Sequence, residues 1–477
     1  MRDGYIIGID GGTQSSKVSI FDLEGNAVSN ATVPLQPIHM PSPGVAIHPD
    51  DDLWESVVRA SRKALEGFTG RKEDILAVGL GSIRCCRADL KDDGTLAYPV
   101  LSWMDVRLSR PYEHVHPEVA RVTTTTGYLT HRFTGEFRDT AANYEGPWPL
   151  DKDTWNWSED PAILEKWNIP QDMLFELHPP GDILGHVTGE ASGLTGIPAG
   201  IPVVATANDK AVEALGAGLK EGPEALISLG TYIGGMVYGS ENRKGARSYF
   251  SNLAAVPGHY LYESGGIRQG MWIISWFLKN LCPDLVRKAE ENGCSAEELA
   301  TGEAENVPAG CEGLMTIPEW LAPPTQPFKR GAMVGFNSRH TRGHMYRSFL
   351  EAIALTMKNH SDAMYAELGK KIDSVIISGG GSNSDLFMQI FADVFNVPTL
   401  RNRENSSAGI GAAICAAVAV GAYDTYETAV DRMVRIEDTF EPIAFNAGVY
   451  EKMNTRAYRD LTGHTDAIFQ KTHTIFT

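Results

Sequence analysis

The chain has 477 residues, 43% of them hydrophobic and 21% charged, with a formal net charge of -18. That length is too great for one hydrophobic core, so two domains are expected. The acidic balance excludes a nucleic-acid-binding surface, which needs clustered Lys and Arg, but it leaves room for an anionic small ligand held at a local site.

The opening, "MRDGYIIGID", has too short an apolar run for a signal peptide and no small-residue cleavage site. Three strands are expected early, Tyr5–Asp10, Lys17–Asp22 and Ala27–Pro34, the last two joined by a turn at "EGN". "HPDDDLWESVVRASRKAL" reads as a helix with acids at its start and Leu53, Val57, Ala60 and Leu65 on one face. "ILAVGLGS", Ile75 to Ser82, is a buried strand. This sequence of elements is α/β.

A comparable pattern returns after the middle. Glu224 to Gly239 is strand, Gly-Thr turn, strand, and Ile372 to Phe395 is strand, glycine turn, helix. Two halves with such hairpins imply a duplicated architecture with a ligand between them. The boundary is expected near Asn242–Ser251, giving domains 1–246 and 247–477. The uncharged stretch "NSSAGIGAAICAAVAVGAY", Asn405 to Tyr423, is long enough to span a bilayer, yet its Ala, Gly and Ser favour a closely packed buried helix. Six cysteines without a C-x-x-C pair fit a reduced, cytoplasmic protein.

Several groups of residues carry possible chemistry. Asp10 stands where a strand emerges, followed by Gly11, Gly12, Thr13, Gln14, Ser15 and then Lys17. Glycines let backbone N–H groups approach a phosphate, hydroxyls add donors, and the acid suits Mg²⁺, directly or through water. An ordinary hairpin also fits, and no Walker loop is present. The second turn, Gly230-Thr231, and the third, Gly379 to Ser384, strengthen a phosphate and nucleotide reading, although the third also fits a plain strand-to-helix turn. Strand Val203–Thr206 delivers Asn208 and Asp209 to a helix start, where an acid serves as N-cap or as a general base. Arg84, and the trio Trp103, Asp105 and Arg107, follow buried strands. They suit a sugar site or, alternatively, a surface ion pair beside a half-buried Trp. Lys210 with Arg84 and Arg107 would form a cationic pocket for a carboxylate-bearing polyol, unless Lys210 points to solvent along its helix. His340 and His344 lie four apart but lack a third ligand, so no metal site is expected there.

Together these segments resemble the FGGY carbohydrate kinase family over nearly the whole chain. "GIDGGTQSSK" is similar to its first phosphate motif, "WMDVR" to its W-x-D-x-R substrate segment and "ANDKAVEALGAG" to the segment with its catalytic aspartate. "LGTYIG" resembles the second phosphate motif, and "KRGAMVGFNSRHTRGHMYRSFLEAIA" the C-terminal signature. "GGGSNSDLFMQIFADVFNVP" and "SSAGIGAAICA" resemble the nucleotide side. The resemblance implies two ribonuclease H-like, actin-type domains around a catalytic cleft and transfer of the γ-phosphate of MgATP to a hydroxyl of a sugar, ketose, polyol or sugar acid. It implies Asp209 as the base and Asp10 as the Mg²⁺-side acid. It also implies Gly12, Thr13, Gln14, Ser15 and Lys17 as the first phosphate loop, and Gly230 and Thr231 as the second. Gly380, Gly381 and Ser384 fall on the adenosine side, as does Gly270, whose spacing to Trp276 is one residue longer than usual. Arg84, Trp103, Asp105, Arg107, Asp209 and Lys210 fall on the substrate side. By analogy with relatives, a homodimer with no membrane or nucleic-acid partner is implied. The chain departs from the family at Cys85 and Cys86, where an acid or histidine is usual, at Lys210, usually Gln or a small residue, and between Arg110 and Tyr128, where a Lys-x-x-W segment is missing. Other readings of the same residues are an actin-like ATPase and a sugar-sensing protein that has lost catalysis.

Overall fold

The structure is a computed structural model that describes residues 4–323, 325–404 and 406–476. Two sheets form its frame. The first contains β1 (Tyr5–Gly11), β2 (Ser15–Asp22), β3 (Ala27–Pro34), β4 (Ile75–Ser82), β5 (Ile183–His186) and β6 (Pro202–Val204), in the order β5-β6-β4-β1-β2-β3. β1 runs parallel to β4 and antiparallel to β2. The central strands β1 and β4 are buried on both faces, which explains their near-continuous apolar sequences. The edge strand β3 alternates between half-buried and exposed positions, as an edge facing water should. Helix α1 (Asp52–Glu66) covers β2 and β3 with Leu53, Val57, Ala60, Ala64 and Leu65.

The second sheet comprises β7 (Glu224–Leu229), β8 (Ile233–Gly239), β9 (Tyr249–Leu253), β10 (Tyr260–Ser264), β11 (Ser374–Ser378), β12 (Thr399–Asn402) and β13 (Ile436–Phe440). Their order is β9-β10-β8-β7-β11-β12-β13. Again a hairpin, β7–β8, sits beside a parallel strand, β11, so the two halves repeat one motif.

This corrects the expected boundary. The hairpin Glu224–Gly239 is hydrogen-bonded into the second sheet, so a break at 246/247 would cut the loop between two strands of one sheet. The crossover lies instead between Gly216, the end of helix α2 (Asp209–Gly216), and Glu224. Strand pairing decides this, and the pairing of β7 is with β11, far along the chain.

The chain then returns. Helix α3 (Arg342–Leu368) and helix α4 (Asp385–Phe395) cover the second sheet's core, whereas α5 (Ser407–Ala419) packs on β1, β4 and α2 of the first half. The contact is backbone to backbone. A Cβ on Gly8 of β1 would lie 2.0 Å from the Gly409 carbonyl oxygen, and one on Gly411 would lie 1.8 Å from that of Val212. Such approach requires glycine, which accounts for the small-residue composition of this stretch; Asn405, at its start, lies outside the described residues. No helix among the described residues is long and apolar enough to cross a membrane.

Candidate active site

The first hairpin places Asp10 directly opposite Lys17 in the β1–β2 register, so both side chains share one face. Gly12 N–H donates to the Ser15 carbonyl at 3.0 Å and the Gln14 carbonyl accepts from Leu35 N–H at 2.9 Å. Gln14 and Ser15 thus shape the tip, while Asp10, Gly12, Thr13 and Lys17 line a cleft of about 850 Å³ between the two sheets. Burial first, then the charges of Asp209 and Glu213, push the Asp10 carboxyl up to about 7, against the pull of Lys17 and Lys210. Burial lowers Lys17, which Asp10 and Glu404 partly restore. No hydrogen bond to the Asp10 carboxyl occurs among the described residues. A buried acid with two acidic neighbours and no donor suits a cation. Among the described residues no three acidic, Cys or His side chains are grouped to hold a metal ion; the single Asp10 carboxylate is compatible with a Mg²⁺ whose other ligands come from outside the protein.

Asp209 is the first residue of α2, yet it is not the cap. Asn208 caps the helix, its Oδ1 accepting from Lys210 N–H at 3.1 Å and Ala211 N–H at 3.2 Å, while its amide holds the Ala142 carbonyl at 2.7 Å. Among the described residues Asp209 accepts only from the adjacent Lys210 N–H, at 2.9 Å, and it lines the cleft. Burial raises its pKa, and Lys210 and Arg84 oppose the rise.

Lys210 turns away from solvent. Its Nζ donates to Glu213 Oε2 at 2.8 Å and to Ser228 Oγ at 2.5 Å, and Ser228 and Ser378 both donate to the Glu213 carboxylate. Ser228 is the penultimate residue of β7 and Ser378 the last of β11, so this network ties the helix bearing Asp209 to the two strand ends that precede Gly230-Thr231 and Gly379. Arg84, after β4, makes a two-pronged pair with Glu263 of β10, one prong at 2.7 Å. Cys85, at φ 58°, and Trp103 stand beside Arg84 on the cleft wall, and burial pushes the Cys85 thiol up to about 12. Glu145 pairs with Lys152 at 3.0 Å nearby.

Two expected substrate residues lie elsewhere. Asp105 is buried, accepting from Ala46 N–H at 2.8 Å and from the backbone and guanidinium of Arg107, and neither residue lines the cleft. Each satisfies the other, so the pair is accounted for here by its own contacts. Of the expected cationic trio, Lys210 and Arg84 line the cleft and Arg107 does not, and all three are paired with carboxylates.

On the opposite wall Gly230, Thr231 and Tyr232 line the cleft with Gly379. Gly270 supports them, donating its N–H to the Thr231 carbonyl at 2.7 Å, and its missing Cβ would lie 2.5 Å from Ile233 Cγ1. Gly380 has open space where a Cβ would be, Gly381 packs on Leu229, and Ser384 caps α4 through Phe387 N–H at 3.3 Å. Gly381 and Ser384 thus shape the turn. Sequence reasoning missed Glu213, Glu263, Tyr232 and Arg268. Glu213 was findable, four residues after Asp209 on the same helix face. Glu263 had no local signal, since its partner Arg84 lies in the other half of the chain.

The model of the C-terminal domain of the FGGY family of carbohydrate kinases matches residues 225–420, and that of the N-terminal domain matches 5–120 and 108–216. The chain is 52% identical over 475 residues to the Escherichia coli protein "Uncharacterized sugar kinase YgcE", covering 100% of this chain and 96% of that one. It is 26% identical over 496 residues to a xylulose kinase of Lactococcus lactis, covering 94% of this chain and 95% of the relative. The solved xylulose kinase of Rhodospirillum rubrum superposes with a TM-score of 0.81 at 25% identity, covering 98% of this chain and 100% of that one.

Proposed function

The chain belongs to the FGGY family of carbohydrate kinases and transfers the γ-phosphate of ATP to an alcohol of a small carbohydrate; from that premise we propose how its own residues do so. Asp209 is the general base. The observation that carries this is the division of labour at the start of α2: Asn208 takes the cap, so the Asp209 carboxylate is left to face the acceptor hydroxyl.

Transfer to an alcohol passes through a loose transition state, so orientation and charge neutralisation matter more than base strength. Asp209 aligns the hydroxyl and takes its proton as the new P–O bond forms. Thr13, the glycine backbone of the first tip and the Gly230-Thr231 backbone hold the phosphate oxygens, with Lys17 adding charge. Mg²⁺, when bound, would screen the terminal phosphates, and Asp10 would hold it directly or through water. Trp103 offers a flat apolar face to the acceptor's C–H groups. Arg84 and Lys210 are spent on Glu263 and Glu213, so neither supplies a free charge to the acceptor. Six free thiols fit a reducing, cytoplasmic setting.

The test is Asp209→Ala. Turnover, followed by coupled ADP release, falls by about 10²–10⁴ with ATP binding retained. Near-normal turnover would remove Asp209 from the role of base.

A further inference from the structure

Most cations of the cleft are already neutralised: Arg84 by Glu263 and Lys210 by Glu213. Lys17 faces Asp10 from the first hairpin. Arg268 is different. It lines the cleft from the second half of the chain, and among the described residues it makes no hydrogen bond or ion pair. Its Nε is buried without an acceptor. A buried guanidinium donor left unpaired is costly, and arginine's planar fork matches a carboxylate or phosphate. Glu319 lies within its electrostatic reach but pairs with Lys329 at 3.7 Å.

The backbone around Arg268 is fixed against the second phosphate hairpin. Ile267 and Ile233 exchange N–H···O bonds of 2.9 and 3.0 Å, Gly270 N–H reaches the Thr231 carbonyl at 2.7 Å, and Met271 N–H reaches that of Gly230 at 3.0 Å. Arg268 therefore lines the same cleft as Lys17, on backbone bonded to the Gly230-Thr231 tip.

We propose that Arg268 is an oxyanion-binding residue of the cleft, its guanidinium completed by a ligand oxygen rather than by the protein. Its attachment to the Gly230-Thr231 tip puts the terminal phosphate of the nucleotide first; the carboxylate of an acidic acceptor has the same chemistry. The inference rests on the kinase reading.

The experiment compares wild type with Arg268→Gln and Arg268→Lys, after thermal unfolding has shown each to be folded. Calorimetry measures MgATP and MgADP binding without acceptor, and a coupled assay measures KM over ketoses, polyols and aldonates. For Arg268→Gln, MgATP binding weakens by about ten- to a hundredfold while MgADP binding stays near wild type, and Lys recovers part of the loss. If both nucleotides bind as before and only the KM of ionised acceptors rises, the oxyanion is the acceptor's carboxylate. Unchanged nucleotide binding together with unchanged KM for every acceptor overturns the proposal. Failure of wild type to phosphorylate any acceptor would instead remove the kinase reading, and the nucleotide comparison would still judge Arg268.

Discussion

Arg84, two residues after β4, and Glu263 in β10 join the two halves of the molecule by a bidentate ion pair beside the cleft. Glu263 is 1% exposed and also accepts from Asn252. The pair is one of the links between the halves, and removing one charge leaves the other buried. Glu263→Gln is expected to cost about 2–5 kcal/mol of stability and to let the halves open. Chemical denaturation and small-angle scattering check this; unchanged stability and radius would show that the pair does not hold the cleft.

Asp10 predicts an inverted pH dependence for the ligand-free protein. Its folded-state pKa is raised to about 7, whereas an unfolded Asp titrates near ~4. Between those values the native state holds a proton that the unfolded state has lost, so stability falls as pH rises through this window. Asp10→Asn removes that loss. The melting temperature of the variant minus that of wild type should grow from pH 4 to pH 7 and then level off. Mg²⁺ should stabilise wild type and not the variant. A difference that is flat with pH would contradict the account.

Cys85 sits in the left-handed region at φ 58°, where glycine is at ease. Cys85→Gly is expected to keep a melting temperature near wild type, because relieved strain offsets added chain freedom. Since the side chain walls the cleft beside Arg84, the acceptor KM should move while the ATP KM does not. The thiol, pushed up to about 12, should resist alkylation at pH 8 in the wild type. Rapid labelling by iodoacetamide would show a different environment.

Gly8→Ala should be among the more damaging single-methyl insertions, since the new Cβ meets the Gly409 carbonyl at 2.0 Å and both partners are backbone. A cost of at least about 1–3 kcal/mol is expected. Gly193→Ala, in the short helix Gly189–Thr195, provides the contrast. Its Cβ meets nothing within 4 Å, so it should stabilise by about 0.5–1 kcal/mol. Equal urea midpoints for the two variants would contradict the proposed packing of α5.

Local elements were legible because local chemistry fixes them. Strands Ala27–Pro34 and Ile75–Ser82 have the bounds that alternation and flanking turns imply, and the expected Tyr5–Asp10 strand gains only Gly11. Helix α1 starts four residues later than His48, at Asp52, because Asp50 adopts a positive φ. The domain break was misread for the opposite reason: the β7–β8 hairpin looks the same whichever sheet it joins. Asp105 and Arg107 are found facing each other, and a charged pair two residues apart reads alike in sequence when it faces a ligand and when it faces itself.

The sequence by itself determined the strand-and-glycine hairpins, the acid at the start of α2 and the α/β character, since each depends on neighbours a few residues away. Only the tertiary structure decided which charges remain available. Arg84 is consumed by Glu263, Lys210 by Glu213, and Arg268 is left facing the cleft, because ion pairing depends on distance in space and the partners come from opposite halves of the chain or from a helix turn that only folding aims.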